Sequence, residues 1–177
     1  PCCEGGTAAG GWHGDAAFPM VVGSGSAQDE ELIRATTHTM WAGIAATASA
    51  KHLGEVSAAM DDAATAAGDY GIVREYTGHG IGSQMHQPPE VLNYRTRSRG
   101  PRLKPGMCLA IEPMLTAGGH ETDVLDDEWT VITTDGSRAA HVEHTVAIHS
   151  RGIWVLTAPD GGAAGLAPFG VSPVALD

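Results

Sequence analysis

Basic residues are scarce in this chain of 177 residues: 10 Lys and Arg stand against 21 Asp and Glu, a formal net charge of −11. Such a balance speaks against nucleic acid or an anionic membrane surface as the main partner. Cysteine is equally thin. Cys2, Cys3 and Cys108 form no CxxC pair and no even-numbered framework, so reduced thiols are expected rather than disulfides or structural zinc. No apolar run approaches the roughly 20 residues that span a bilayer. No basic start followed by an apolar stretch suggests a secretory signal, and the cytoplasm is the expected location. Phosphate-loop GKS or GKT and the nucleophile pattern GxSxG are both missing. Gly78-His79-Gly80-Ile81-Gly82 lacks dinucleotide-loop spacing and leads to Met85-His86, not to an apolar helix.

What is present reads as α+β. Trp12, Phe18, Val21 and Val22 suggest an extended hairpin region over 10–22, with His13-Gly14-Asp15 near its middle. Ser26 is an expected N-cap, with Asp29 three residues on, opening a helix to about residue 50. A second helix is expected over 55–67, ended by Gly68. Strands follow at 70–76, 107–115, 128–134, 140–149 and 153–156, with a glycine corner at 78–82 and a long loop over 87–106. Asp135-Gly136 is a hairpin-turn signal between two of these strands. The division is a domain over 1–157 and a loosely ordered Gly/Ala/Pro-rich tail over 158–177. One layer of helices should lie against a curved sheet.

Four polar residues stand where a strand or tight corner would ordinarily take an apolar side chain: Asp15, His79, Glu112 and Glu143. Alternation puts Glu112 on the face shared by Cys108, Ala110 and Met114. A buried carboxylate is costly without a cation, and no Lys or Arg lies within either Glu-bearing strand. Two strand carboxylates and an imidazole in a glycine corner fit a hydrolytic centre for Mn, Fe, Co or Zn, in which a pair of ions can hold and activate a water. His144 follows Glu143 directly, so on a strand it should face the other way.

These motifs together carry a resemblance. The stretch Tyr76-Thr77-Gly78-His79-Gly80-Ile81-Gly82, then Met85-His86, Pro88 and Asn93-Tyr94, resembles the signature of type I methionine aminopeptidases. Leu103-Lys104-Pro105-Gly106-Met107, Ile111-Glu112-Pro113-Met114, Trp129-Thr130-Val131, Glu143-His144-Thr145 and Trp12-His13-Gly14-Asp15 agree in order. The resemblance runs from about Trp12 to Leu156. It implies a pita-bread (creatinase/aminopeptidase) fold and two divalent metal ions held by Asp15, His79, Glu112 and Glu143, with Asp15 and Glu143 bridging. Glu112 would also relay the proton, and His86 would hydrogen-bond the peptide. Tyr76 and Trp129 match positions lining the methionine side-chain region. The implied reaction removes N-terminal methionine from nascent polypeptides. Peptide N-termini are the expected partners, with no nucleic acid, no membrane and a monomeric chain.

Two departures from the pattern stand out. Glu4 occupies the place of the family's first Asp ligand, and its extra methylene moves the carboxylate by about 1.5 Å. Residues 1–9 lack the apolar alternation of a strand, and a further N-terminal part of a complete family member would precede residue 4. Without it, the first helix should expose part of its apolar face, Glu4 should be poorly held, and activity should be low. A catalytically impaired fragment or paralogue is therefore the alternative, beside an Xaa-Pro aminopeptidase of the same fold.

Overall fold

The computed structural model describes residues 2–176; Pro1 and Asp177, the outermost positions of the expected domain and tail, lie outside the described residues. The chain opens with a hairpin, β1 (Cys2–Ala9) and β2 (Trp12–Pro19). It is closed by Gly10 at φ 58° and Gly11 at φ 84°, the two positive values that a two-residue hairpin turn needs. The absence of apolar alternation over residues 1–9 was thus no obstacle to a strand. Pairing with β2 is a main-chain ladder, and small side chains leave it intact.

Helix α1 (Ala27–Thr47) starts at the expected cap: Asp29 N–H donates to Ser26 Oγ at 3.1 Å, and Ser26 N–H donates to the Asp29 carboxylate at 3.1 Å. Helix α2 (Leu53–Ala67) follows and packs along α1. Then come β3 (Gly71–Ile72), β4 (Gly78–Gly80), β5 (Gln87–Val91), β6 (Cys108–Ile111) and β7 (Met114–Thr116). The hairpin strands β8 (Thr122–Val124) and β9 (Val131–Thr133), then β10 (Ala139–His141), β11 (His144–His149) and β12 (Gly152–Val155), complete the sheets. Part of the expected long loop is therefore strand β5, and the glycine corner is strand β4. The strand expected over 70–76 shrinks to two residues. Asp135-Gly136 does form a turn, but β9 pairs with β8 and β10 with β7, so the strands around it belong to different sheets.

The two larger sheets share a broken ribbon. One sheet runs β12-β11-β6-β4-β5 and the other β10-β7-β3. Strands β6 and β11 pair as far as Ile111 opposite His144, and β7 and β10 resume with Met114 opposite His141. Between them, Glu112-Pro113 faces Val142-Glu143 without a ladder. Proline has no N–H to give one. The single strand expected over 107–115 is thus two strands, and Glu112 sits in the break rather than on an alternating face.

Several tail residues from Ala158 onward pack against the core, where a loosely ordered tail was expected. Helix α3 (Ala163–Leu166) buries Leu166 completely, and Ala158, Phe169 and Val171 lie against the main core of Met40, Ile44, Met60, Leu109 and Ile111. Gly165 approaches the Trp41 indole so closely that a Cβ there would lie 2.1 Å from the ring. The tail therefore covers part of α1, whose Leu32, Met40 and Ile44 are buried. The exposed large apolar residues lie off this helix, chiefly at Trp12, Phe18, Met20, Val21 and Val22 on and just after β2 and at Val124, Leu125, Trp129, Val131 and Ile132 around β8 and β9.

Close helix packing sets a test. A Cβ on Gly43 of α1 would lie 2.6 Å from Met60 Cγ and 3.2 Å from Ile111 Cγ2. Alanine gains about 1 kcal/mol of helix propensity, but overpacking at such a contact costs about 1–3 kcal/mol. Overpacking wins, and Gly43→Ala should lower the Tm by roughly 2–4 °C. A raised Tm in calorimetry would show that α1 and α2 have room to separate.

Candidate metal centre

The break in the ribbon frees main-chain groups that β2 then uses. Ala17 N–H donates to the Glu143 carbonyl at 3.2 Å, and Glu143 N–H donates to the Ala17 carbonyl at 2.9 Å. Two residues back along β2, Asp15 N–H donates to Thr145 Oγ1 at 3.4 Å, while the Thr145 hydroxyl donates to the Asp15 carbonyl at 2.7 Å. Asp15 and Glu143 are thereby drawn together and buried, at 4% and 2% exposure.

His79 arrives from β4 between two glycines that let the neighbouring chains approach. A Cβ on Gly78 would stand 2.4 Å from the Ala110 carbonyl oxygen, and one on Gly80 2.4 Å from that of Pro88. His79 Nδ1 lies 3.0 Å from the Gly80 carbonyl oxygen. A carbonyl can only accept, so Nδ1 carries the proton and Nε2 is turned to the centre. There it stands 3.2 Å from Glu112 Oε1.

Three overlapping sets of ligand atoms, each within 4.8 Å of one another, follow: Asp15 with His79 and His86, His79 with Glu112 and Glu143, and Glu4 with Asp15 and Glu143. The structure thus brings together Asp15, His79, Glu112 and Glu143, the four residues singled out from sequence. Glu4, expected to be poorly held, is fixed in register by the β1–β2 ladder opposite Ala17 and reaches the same cluster. His86 is exposed, with its ring 4.4 Å from that of His79. It thus stands close enough to Asp15 and His79 to be grouped with them. His144 turns away, as β-strand alternation requires, with Nδ1 2.8 Å from Thr157 Oγ1 and its ring against Trp41.

One residue of the cluster was not foreseen. His141 Nε2 lies 3.4 Å from Glu112 Oε2, and its Nδ1 lies 3.9 Å from Glu4 Oε2. The signal was there in the spacing, since His141 and Glu143 are two apart along extended chain and share a face. Tyr76 and Trp129 line one cavity of about 610 Å³, together with Met114, and Glu4 and His141 join this cavity to the carboxylates. Trp129 is 87% exposed, so it is not a core residue.

Electrostatics mark the cluster as strained without a cation. Burial, and then the charges of Glu112, Asp15 and Glu4, push the Glu143 carboxyl up to about 9. Glu112 is also penalised by burial, but the imidazoles of His141 and His79 outweigh that and hold it below the usual carboxylate range. For His79, burial opposes the charged form, while Glu112, the Gly80 carbonyl and Asp15 together raise its pKa. Asp15 Oδ1 and Glu143 Oε1 are buried without a hydrogen-bond donor among the described residues. Oxygens left so, beside a histidine nitrogen, fit a divalent cation.

Known proteins share this arrangement of chain. Residues 2–150 match the model of metallopeptidase family M24. The chain is 51% identical over 152 residues to methionine aminopeptidase 1 of Mycobacterium tuberculosis, covering 83% of this chain and 57% of that protein. It is 41% identical over 147 residues to methionine aminopeptidase 1 of Bacillus subtilis, covering 83% and 59%. It therefore spans less than two thirds of the length of either relative. A crystal structure of methionine aminopeptidase from Rickettsia prowazekii superposes with a TM-score of 0.84 at 35% identity, over 89% of this chain and 63% of that one. A prolidase from Pyrococcus furiosus, at 22% identity and a TM-score of 0.67, has the same fold. The α+β pita-bread architecture is common to these proteins, and by the match along most of its length the chain belongs to metallopeptidase family M24.

Proposed function

We propose that this chain carries a divalent-metal centre for hydrolysis of the peptide bond after an N-terminal methionine. The observation that carries this reading is the convergence of four carboxylates and two imidazoles, with two buried carboxylate oxygens that lack a donor among the described residues. Asp15, Glu112, Glu143 and Glu4 would hold the metal with His79, and four negative charges match two divalent ions. Mn, Fe, Co and Zn all suit this donor set. When bound, such ions make water a nucleophile near neutral pH and polarise the scissile carbonyl.

The chain's own residues supply the rest. Glu112, held below the usual carboxylate range, is ionised at neutral pH and can take a proton at one oxygen and return it to the leaving amine. His86, exposed beside His79, would donate a hydrogen bond to the peptide carbonyl as negative charge develops there, a role its closeness to the cluster supports. The cavity lined by Tyr76, Met114 and Trp129 offers an apolar recess beside Glu4 and His141 for an unbranched side chain. Peptide N-termini are the partners this geometry suits. No helix among the described residues is long and apolar enough to cross a membrane.

Turnover of a Met-Ala-Ser peptide with added Mn or Co tests the reading. Glu112→Gln should lower turnover by about 10²-fold or more, while metal removal by a chelator should abolish it. Equal turnover in the chain and in Glu112→Gln would overturn the assignment of Glu112.

Stability against pH gives a second test. Glu143 is an acid raised from 4.5 to about 9 in the folded chain, so between those values the native state holds a proton that the unfolded chain has lost. Its contribution is fully present below 4.5 and is lost as pH rises toward 9. Metal binding needs the carboxylate instead. The Tm gain from saturating Mn, read against a chelator-treated sample, should therefore be larger at pH 8 than at pH 6. A gain independent of pH would show that Glu143 does not meet the metal.

A further inference from the structure

His141 belongs to none of the three sets of candidate ligands, yet it touches two of them. Its Nε2 is 3.4 Å from Glu112 Oε2 and its Nδ1 3.9 Å from Glu4 Oε2. Glu112 is grouped with His79 and Glu143, whereas Glu4 is grouped with Asp15 and Glu143. One ring thus spans the two ends of the cluster. The side chain is largely enclosed, at 13% exposure, against 61% for Glu4. Its place is fixed by the backbone: β10 pairs His141 with Met114, which sets the ring across the ribbon break from Glu112.

The two oxygens of Glu112 are divided between two imidazoles. Oε1 faces His79, itself a candidate ligand, and Oε2 faces His141. If His79 Nε2 is committed to a cation, its contact with Glu112 is lost, and His141 is left to orient that carboxylate. Glu4 has a long, exposed side chain, and the enclosed His141 ring lies beside its carboxylate. We propose that His141 is a positioning residue of the metal centre, holding the carboxylates of Glu112 and Glu4 in place at the two ends of the cluster. The proposal rests on the metal-centre reading above. Outer partners of this kind govern metal affinity by about 10–100-fold.

Titration calorimetry of the chain with Mn²⁺, free of peptide, is the test. His141→Ala should weaken Mn²⁺ binding by about 10–100-fold. His141→Gln, whose amide can donate to Glu112 from a similar reach, should retain affinity close to that of the unaltered chain. At saturating Mn²⁺, Met-Ala-Ser turnover by His141→Ala should recover, which a misfolded variant would not do. Unchanged Mn²⁺ affinity in His141→Ala would overturn the proposal and leave the metal centre standing. His141→Gln as weak as His141→Ala would overturn it too, and make the imidazole a ligand. No Mn²⁺ uptake by the unaltered chain would remove the metal centre and the proposal together.

Discussion

Repulsion among carboxylates is the constraint around which the molecule is arranged. Glu143, almost wholly buried, faces the charges of Glu112, Asp15 and Glu4, and no Lys or Arg is paired with any of the four among the described residues. Like charges in an enclosed place cannot all ionise unaided. The fold nevertheless spends a strand hairpin, a ribbon break and a buried threonine on bringing them together. Such an outlay makes sense only for a centre completed by cations.

Architecture serves this through an interruption, not through regularity. Had β6 run unbroken into β7, Glu112 would have been one rung of a ladder. Because Pro113 cannot join one, the strand pair parts, and the released N–H and C=O of Glu143 are taken up by Ala17. The same break that separates two sheets thus recruits a third strand pair, and Asp15 comes with it.

The ligand residues were legible in the sequence because each violated its local pattern: an acid in an apolar run, a histidine between glycines. The helices were legible as well, from Ser26 and Asp29 at one end and apolar spacing along their length. What could not be read were features that arise only between segments. Residues 2–9 make a strand because β2 offers them a ladder, and Gly10-Gly11 was the one local sign of it. Likewise, the tail is ordered by Trp41 and the core, which its Gly- and Ala-rich composition does not reveal. The place of His141 depends on the β10–β7 pairing that sets it across from Glu112, a contact between segments that its own neighbourhood in the chain does not show.

The Thr145 hydroxyl, which both accepts from and donates to the backbone at Asp15, joins positions 130 residues apart. Closing so long a loop is entropically unfavourable, and contacts of this range slow the search for the native state. Helices α1 and α2 are contiguous in the chain and can pair early. The hairpin that carries Glu4 and Asp15 instead bonds to distant segments, His13 to Gly82 and Ala17 to Glu143. Asp15 and Glu143 therefore meet only when β2 and the segment before β11 have come together, and until then their charges stay apart.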